Sequence, residues 1–223
     1  MYLYFLSKKT QGVDALWELV KSKYKVVAPE LSSSLEEYIS TSGKANCDER
    51  ILTSILLFES LLKAPFFNPN FAPKALKKDT CGKPYFGGSS LKISIAHNEK
   101  FVLIGYDEGA EIGVDIESEI SSERAEKLEK RFPQISSLQA GWTEEISAFL
   151  MSHNGELKPI NLTSADDSFT AKWTAAEAVM KCDGRGFSTL PELEKIKKEM
   201  NVFTLVFDSE NGKEYISVAI KKH

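Results

Sequence analysis

The sequence predicts an α+β fold. Residues 48–62 and 169–182 carry apolar side chains at helical spacing. After each come runs in which apolar and polar residues alternate with period two, separated by turn residues. Strands grouped behind a helix, not interleaved with helices, argue for antiparallel sheets with packed helices.

Met1–Leu6 reads as a first strand. Val13–Lys21 is helical through Val13, Leu16, Trp17 and Val20. Tyr24–Ala28 is rich in β formers and ends before Pro29, which predicts a strand, and Leu31–Ile39 a short helix. The helix 48–62 shows Ile51, Ile55, Leu56, Phe58, Leu61 and Leu62, with Asn46 or Asp48 as its cap. Residues 65–88, with four prolines and three glycines, read as loop. Leu91–Ala96, Phe101–Tyr106 and Glu111–Glu117 alternate as strands, the last two joined by a short hairpin at 107–110. Ser121–Arg131 is a charged helix capped by Ser121 or Ser122. Residues 134–167 show weak periodicity and predict short helix mixed with mobile loop. Phe169–Cys182 is a helix stopped by Asp183-Gly184, and Pro191–Met200 a short one. Asn201–Phe207 and Glu214–Ile220 are strands turned by Asn211-Gly212.

A chain of 223 residues with 42% hydrophobic and 27% charged side chains is globular and long enough to hold a core unaided. Its 28 basic and 32 acidic residues give a net charge of −4, which argues against a general nucleic-acid or anionic-membrane binder. Cys47, Cys81 and Cys182 are odd in number and lack C-x-x-C spacing, which argues against a disulfide framework or zinc site and fits a reducing cytoplasm. The apolar stretch Tyr2–Leu6 is too short for a signal peptide or membrane span. The expectation is a soluble cytoplasmic protein.

Four local patterns could carry chemistry. In Gly113-Val114-Asp115-Ile116-Glu117 a strand places Asp115 and Glu117 on one face and Val114 and Ile116 on the other. Two carboxylates side by side repel unless a cation lies between them, and hard oxygen ligands suit Mg²⁺ or Mn²⁺. A solvated strand face would show the same alternation. In Trp173-Thr-Ala-Ala-Glu177-Ala-Val-Met-Lys181 the three named residues form one helical stripe, which could complete a metal site and hold a phosphate. An ordinary surface ion pair with Trp173 in the core fits equally. His97 at a strand end could bind phosphate or be merely a polar surface residue. Gly82-Lys83-Pro84 could offer backbone N–H groups and a cation to an anion, or be a plain turn.

In this order, together with Ile95-Ala96-His97-Asn98, Arg131-Phe132 and the trailing Gly184-x-Gly186, these segments resemble the 4′-phosphopantetheinyl transferase family. The chain length is similar to that of its larger monomeric class. That resemblance implies two similar α+β halves related by a pseudo-two-fold, residues 1–106 and 107–223, the second carrying the metal and catalytic motifs. It implies transfer of the phosphopantetheine arm of coenzyme A to a serine of an acyl or peptidyl carrier protein, releasing 3′,5′-ADP. Asp115, Glu117 and Glu177 would hold Mg²⁺. Glu177 would take the serine proton, and Lys181 would bind the attacked phosphate. His97, Lys83 and Pro84 would hold nucleotide phosphates, and Arg50 would lie near the adenosine 3′-phosphate. Asp115 counts with Glu177 and Lys181 among the catalytic residues. The carrier would dock on the helix 121–131 and the segment after it, with the lysines at 74, 77 and 78 as further basic contacts.

Three positions depart from the family pattern. Ala96 stands where a serine precedes the motif histidine, Ala176 where a lysine precedes the motif glutamate, and Lys44 alone remains of a basic pair ahead of Arg50. Each removes an expected contact to coenzyme A; a lost hydroxyl donor costs about 0.5–1.5 kcal/mol. Two other readings stay open: a non-catalytic relative that binds carrier protein or coenzyme A, and a metal-dependent phosphohydrolase.

Overall fold

The computed structural model describes residues 1–41, 47–64, 73–141, 143, 145–152, 154–210 and 212–222. Asn46 as a cap, Lys44, the first part of the 65–88 loop, Asn211 and His223 lie outside the described residues.

Strand β1 (Tyr2–Ser7) leads into α1 (Val13–Val27), α2 (Pro29–Ser40) and α3 (Cys47–Lys63). Then come β2 (Ala75–Lys78), β3 (Pro84–Gly87), β4 (Lys92–His97), β5 (Phe101–Asp107) and β6 (Ile112–Ser118). Helix α4 (Ser122–Arg131) precedes β7 (Ser147–Met151), β8 (Leu157–Pro159) and β9 (Thr163–Ser164). Helices α5 (Phe169–Asp183) and α6 (Leu193–Lys197) precede β10 (Met200–Ser209) and β11 (Gly212–Lys221). This is the α+β architecture that the sequence predicts. No described helix is long and apolar enough to cross a membrane.

The first sheet has the order β4-β5-β1-β7-β8, with β1 and β7 parallel and its other pairs antiparallel. The second, β6-β11-β10-β9, is antiparallel throughout, and β2-β3 form a separate hairpin. Three apolar clusters stack the molecule into four layers. Helices α1–α3 cover one face of the first sheet, with Tyr24, Leu35, Ile55 and Phe58 against Tyr4, Ile104 and Tyr106. The other face packs on the second sheet, Leu3, Phe5 and Leu103 meeting Val114, Ile116 and Val218. Helices α5 and α6 close the far side through Ala175, Val179, Leu193 and Ile196.

Four local expectations fail. Strands β5 and β6, expected to form a hairpin across 107–110, do not pair: the chain crosses there from the first sheet to the second, where β6 pairs with β11. Residues 24–27 finish α1, with Ala28 as its C-cap, instead of forming a strand, because Tyr24, one turn beyond Val20, stacks on Phe58 at 4.0 Å. Burial of that ring outweighs the β preference of Val26 and Val27. Within the 65–88 loop, residues 75–87 form the β2–β3 hairpin. In the segment 134–167, β7 and β8 extend the first sheet, so that sheet draws strands from both sides of residue 107. Ser121 caps α4 by accepting from the Arg124 N–H, and Gly184 ends α5 at φ 86°, both as expected.

A buried carboxylate pins the β4–β5 turn to the second sheet. Glu214, fully buried on β11, accepts from Asn98 Nδ2 at 2.8 Å, Lys100 Nζ at 2.5 Å, Ser118 Oγ at 2.9 Å and Ser209 Oγ at 2.9 Å. A buried charge is tolerated when it is satisfied in this way. The result is that His97, the residue before Asn98, is held in register with β6.

Candidate active site

The site is built where α5 lies on β6. Gly113 allows the approach: a Cβ there would stand 2.1 Å from the Ala178 carbonyl oxygen and 2.3 Å from the Cys182 nitrogen. Helix backbone therefore rests directly on strand backbone, and Asp115, one pleat further along, faces the helix. Ser94 Oγ accepts from the Val114 N–H at 3.0 Å and ties β4 to the same strand.

Four expected residues meet here. Asp115, Glu117 and Glu177 bring one carboxylate oxygen each within 4.8 Å of the others. Lys181 Nζ donates to Asp115 Oδ1 at 2.6 Å. Asp115 is 3% exposed, and its Oδ2 is buried with no hydrogen-bond partner. Trp173, from the same helical stripe, is buried with its indole N–H beside Glu117, short of hydrogen-bond geometry.

Charge in this pocket is unbalanced. Burial and the nearby Asp115 push the Glu177 carboxyl up to about 8. Burial and Asp115 likewise raise Glu117, against the pull of Arg124. Burial disfavours the Lys181 ammonium, but Asp115 and Glu177 outweigh it and hold its pKa above the ordinary lysine value. Three carboxylates and one ammonium leave −2 when all are ionised, the charge one divalent cation neutralises. An unpartnered buried oxygen inside an all-carboxylate set fits a hard divalent ion such as Mg²⁺ or Mn²⁺.

A cleft of about 200 Å³ opens beside Lys181, lined also by Lys83, Pro84, Ile95, Met180 and Gly184. It joins the Gly82-Lys83-Pro84 turn to the α5 motif across 100 residues of sequence. The turn does not present the free N–H groups that the sequence suggested. Asp79 takes them: its Oδ1 accepts from the Cys81 and Lys83 N–H groups, and its carbonyl from Gly82. What Lys83 offers is its ammonium, which donates to Glu111 at 2.8 Å and to the Cys182 carbonyl at the end of α5 at 2.9 Å. Glu111 also pairs with Lys92 at 2.7 Å.

The His97 side chain is half-buried, 52% exposed, and its Nε2 lies 3.0 Å from Glu49 Oε1. Burial of the ring lowers its pKa; Glu49 opposes this, while Lys8 and Lys181 add to it. Arg50 lies apart from the acidic cluster. It stacks on Tyr38 at 4.7 Å, donates to the Tyr38 carbonyl at 2.6 Å, and lines a cavity of about 430 Å³ with Lys77, Lys78 and Tyr85. Lys78 approaches the same Tyr38 ring at 5.6 Å. The sequence suggests a loop that offers these lysines as docking contacts; they stand instead on the β2–β3 hairpin and line the cavity that Arg50 also lines. Sequence reasoning also passed over Glu49, whose one signal is its place beside Arg50 in the first turn of α3.

The two departures that remove expected contacts have another explanation. Ala96 is 1% exposed in the cluster between the sheets, and Ala176 is fully buried beneath α5. Neither methyl group borders the cleft.

A carboxylate cluster and a lysine at the edge of a cleft are the equipment of an enzyme that transfers phosphate-linked groups. Residues 111–218, which hold all three carboxylates and Lys181, match the family model of the 4′-phosphopantetheinyl transferase superfamily. No curated protein shows a match to the chain. The matched domain supports a phosphopantetheinyl transferase kind of function.

Proposed function

We propose that the protein moves the phosphopantetheine arm of coenzyme A to a serine of an acyl or peptidyl carrier protein, using Mg²⁺ or Mn²⁺. The observation that carries this reading is the orphaned Asp115 Oδ2 within a cluster of charge −2. Asp115, Glu117 and Glu177 would hold the cation. When bound, it supplies neutralising charge to the pyrophosphate. The serine oxygen bonds to the phosphorus that carries the pantetheine arm, and the bond from that phosphorus to the oxygen of 3′,5′-ADP breaks. Glu177 takes the serine proton, directly or through a water. Lys181, oriented by Asp115, faces the phosphate oxygens and steadies the charge that develops on them. Lys83 and His97 supply further positive charge, and Pro84 forms the wall of the cleft. By role, residues 107–223 would carry the metal and catalytic groups and residues 1–106 most nucleotide contacts.

The test is intact-mass analysis of an apo carrier protein incubated with the chain, coenzyme A and Mg²⁺. A metal-dependent gain of one phosphopantetheine is expected, with Asp115→Ala and Lys181→Ala each slowing it about 100-fold or more. Release of 3′,5′-ADP without any carrier, or no modification at all, would reject the proposal.

Across the hairpin from this cleft, Arg50 and Lys78 approach one tyrosine and Lys77 lines the same cavity, and none of the three has a carboxylate partner among the described residues. Such a cavity suits the phosphate monoester at the far end of coenzyme A. Lys77→Ala/Lys78→Ala is expected to weaken coenzyme A about tenfold and its 3′-dephospho form less than twofold. Calorimetric titration of both ligands checks this.

A further inference from the structure

Lys8, Glu49 and His97, from three separate parts of the chain, form a row at the edge of the site, and the roles above use neither Lys8 nor Glu49. Lys8 follows β1, its backbone N–H fixed to the Lys100 carbonyl at 2.7 Å. Its ammonium donates to Glu49 Oε2. The other oxygen of Glu49 meets His97 Nε2 at 3.0 Å. Glu49 is therefore held from both sides, and its side chain is 28% exposed.

We propose that Glu49 is a positioning residue for His97: it pins Nε2–H and leaves Nδ1 as the nitrogen that meets an anionic phosphate. This rests on the reading in which His97 contacts coenzyme A phosphates. A neutral imidazole has one N–H and one bare nitrogen. With the Nε2 side of the ring turned to Glu49 at 3.0 Å, the bare Nδ1 of a neutral ring turns a lone pair toward a phosphate oxygen and repels it. Only the protonated ring serves both partners. Its other charged neighbours pull in both directions: Lys8 from β1 and Lys181 from α5 disfavour the imidazolium, while Asp115 from β6 favours it. Glu49 is the carboxylate in contact, so it offsets the two lysines. The arrangement ties phosphate binding to the protonation of one ring.

Two readouts on the full-length protein test this. The ring protons of His97 are titrated by NMR, with only three histidines to assign. The dissociation constant of coenzyme A with Mg²⁺ is measured by calorimetry at pH 6 and pH 8. Glu49→Ala is expected to lower the His97 midpoint. It should also shrink the ratio of the dissociation constant at pH 8 to that at pH 6 several-fold, because the freed Nε2–H lets a neutral ring donate. The ligand's own titration is common to all variants and cancels in that comparison. Glu49→Gln, which keeps the acceptor and loses the charge, should lower the midpoint yet keep the ratio closer to wild type. Lys8→Met should raise the midpoint, which gives a second arm if the Glu49 variants fold poorly. In a His97→Ala background, Glu49→Ala should leave this ratio unchanged. An unmoved midpoint in both Glu49→Ala and Lys8→Met, or an equal effect of Glu49→Ala with and without His97, overturns the proposal. Wild-type protein that binds no coenzyme A overturns the functional reading; the ring titration still decides the link between Glu49 and His97.

Discussion

Gly113→Ala is expected to unfold at a temperature roughly 6–12 °C below wild type and to lose about 100-fold in kcat/KM. The added methyl would lie 2.1 Å from the Ala178 carbonyl oxygen and 2.9 Å from the Cys182 Cα. These are backbone atoms of α5 and cannot swing aside as a flexible side chain would. Either β6 or the whole helix must shift, at a cost of about 3 kcal/mol. The chemistry suffers beyond the stability loss, because Glu177 and Lys181 ride on α5 while Asp115 and Glu117 ride on β6. Separating the two elements opens the 4.8 Å carboxylate cluster and stretches the 2.6 Å contact from Lys181 to Asp115. Gly109→Ala is the control: a Cβ at Gly109, in the exposed β5–β6 turn, meets nothing within 4 Å. It should change stability by less than about 0.5 kcal/mol. Equal melting and equal carrier modification in the two variants would show that this close approach does not build the site.

That contact also shows where the sequence stops being legible. Period two put Asp115 and Glu117 on one face of a strand, and the i, i+4 stripe put Trp173, Glu177 and Lys181 together, so the acidic cluster was readable once the two motifs were paired. The glycine that lets them meet was not. Its partners, Ala178 and Cys182, lie more than 60 residues away, and nothing local distinguishes a close approach from a turn. Non-local pairing hid other parts as well. Ser147–Met151 finds its partner in β1 at the start of the chain, so its weak pattern reads as loop until β1 is beside it. The proline- and glycine-rich composition of 65–88 masked the β2–β3 hairpin, and with it the side of Lys77 and Lys78. The turn at Gly82 looked like an anion nest because one-dimensional reading cannot see Asp79 capturing its N–H groups. Ala96 and Ala176 looked like lost ligand contacts because a motif position carries no record of which way its Cβ points.

The metal-free protein is expected to lose stability as pH rises from about 4.5 to about 8, and divalent metal to restore it at the upper end. Folding brings Glu177 beside Asp115 and out of water, so the folded state binds its proton up to about 8, against an ordinary value of 4.5. The proton thus favours folding: its contribution is complete below 4.5 and is lost as pH climbs through 8. The effect is on the order of a few kcal/mol. Glu117, also raised, acts in the same direction. His97, shifted down, works against it over part of the same range; wild type and Glu177→Gln share that ring, so their difference isolates Glu177. Thermal melts of metal-stripped protein should show a falling Tm between pH 5 and pH 8, and Glu177→Gln should flatten that slope. Millimolar Mg²⁺ should raise the wild-type Tm more at pH 8 than at pH 5, because cation and proton compete for the same carboxylate. In Glu177→Gln the lift should largely vanish. A slope unchanged by Glu177→Gln, or an equal metal effect at both pH values, would mean that the three carboxylates do not share one cation.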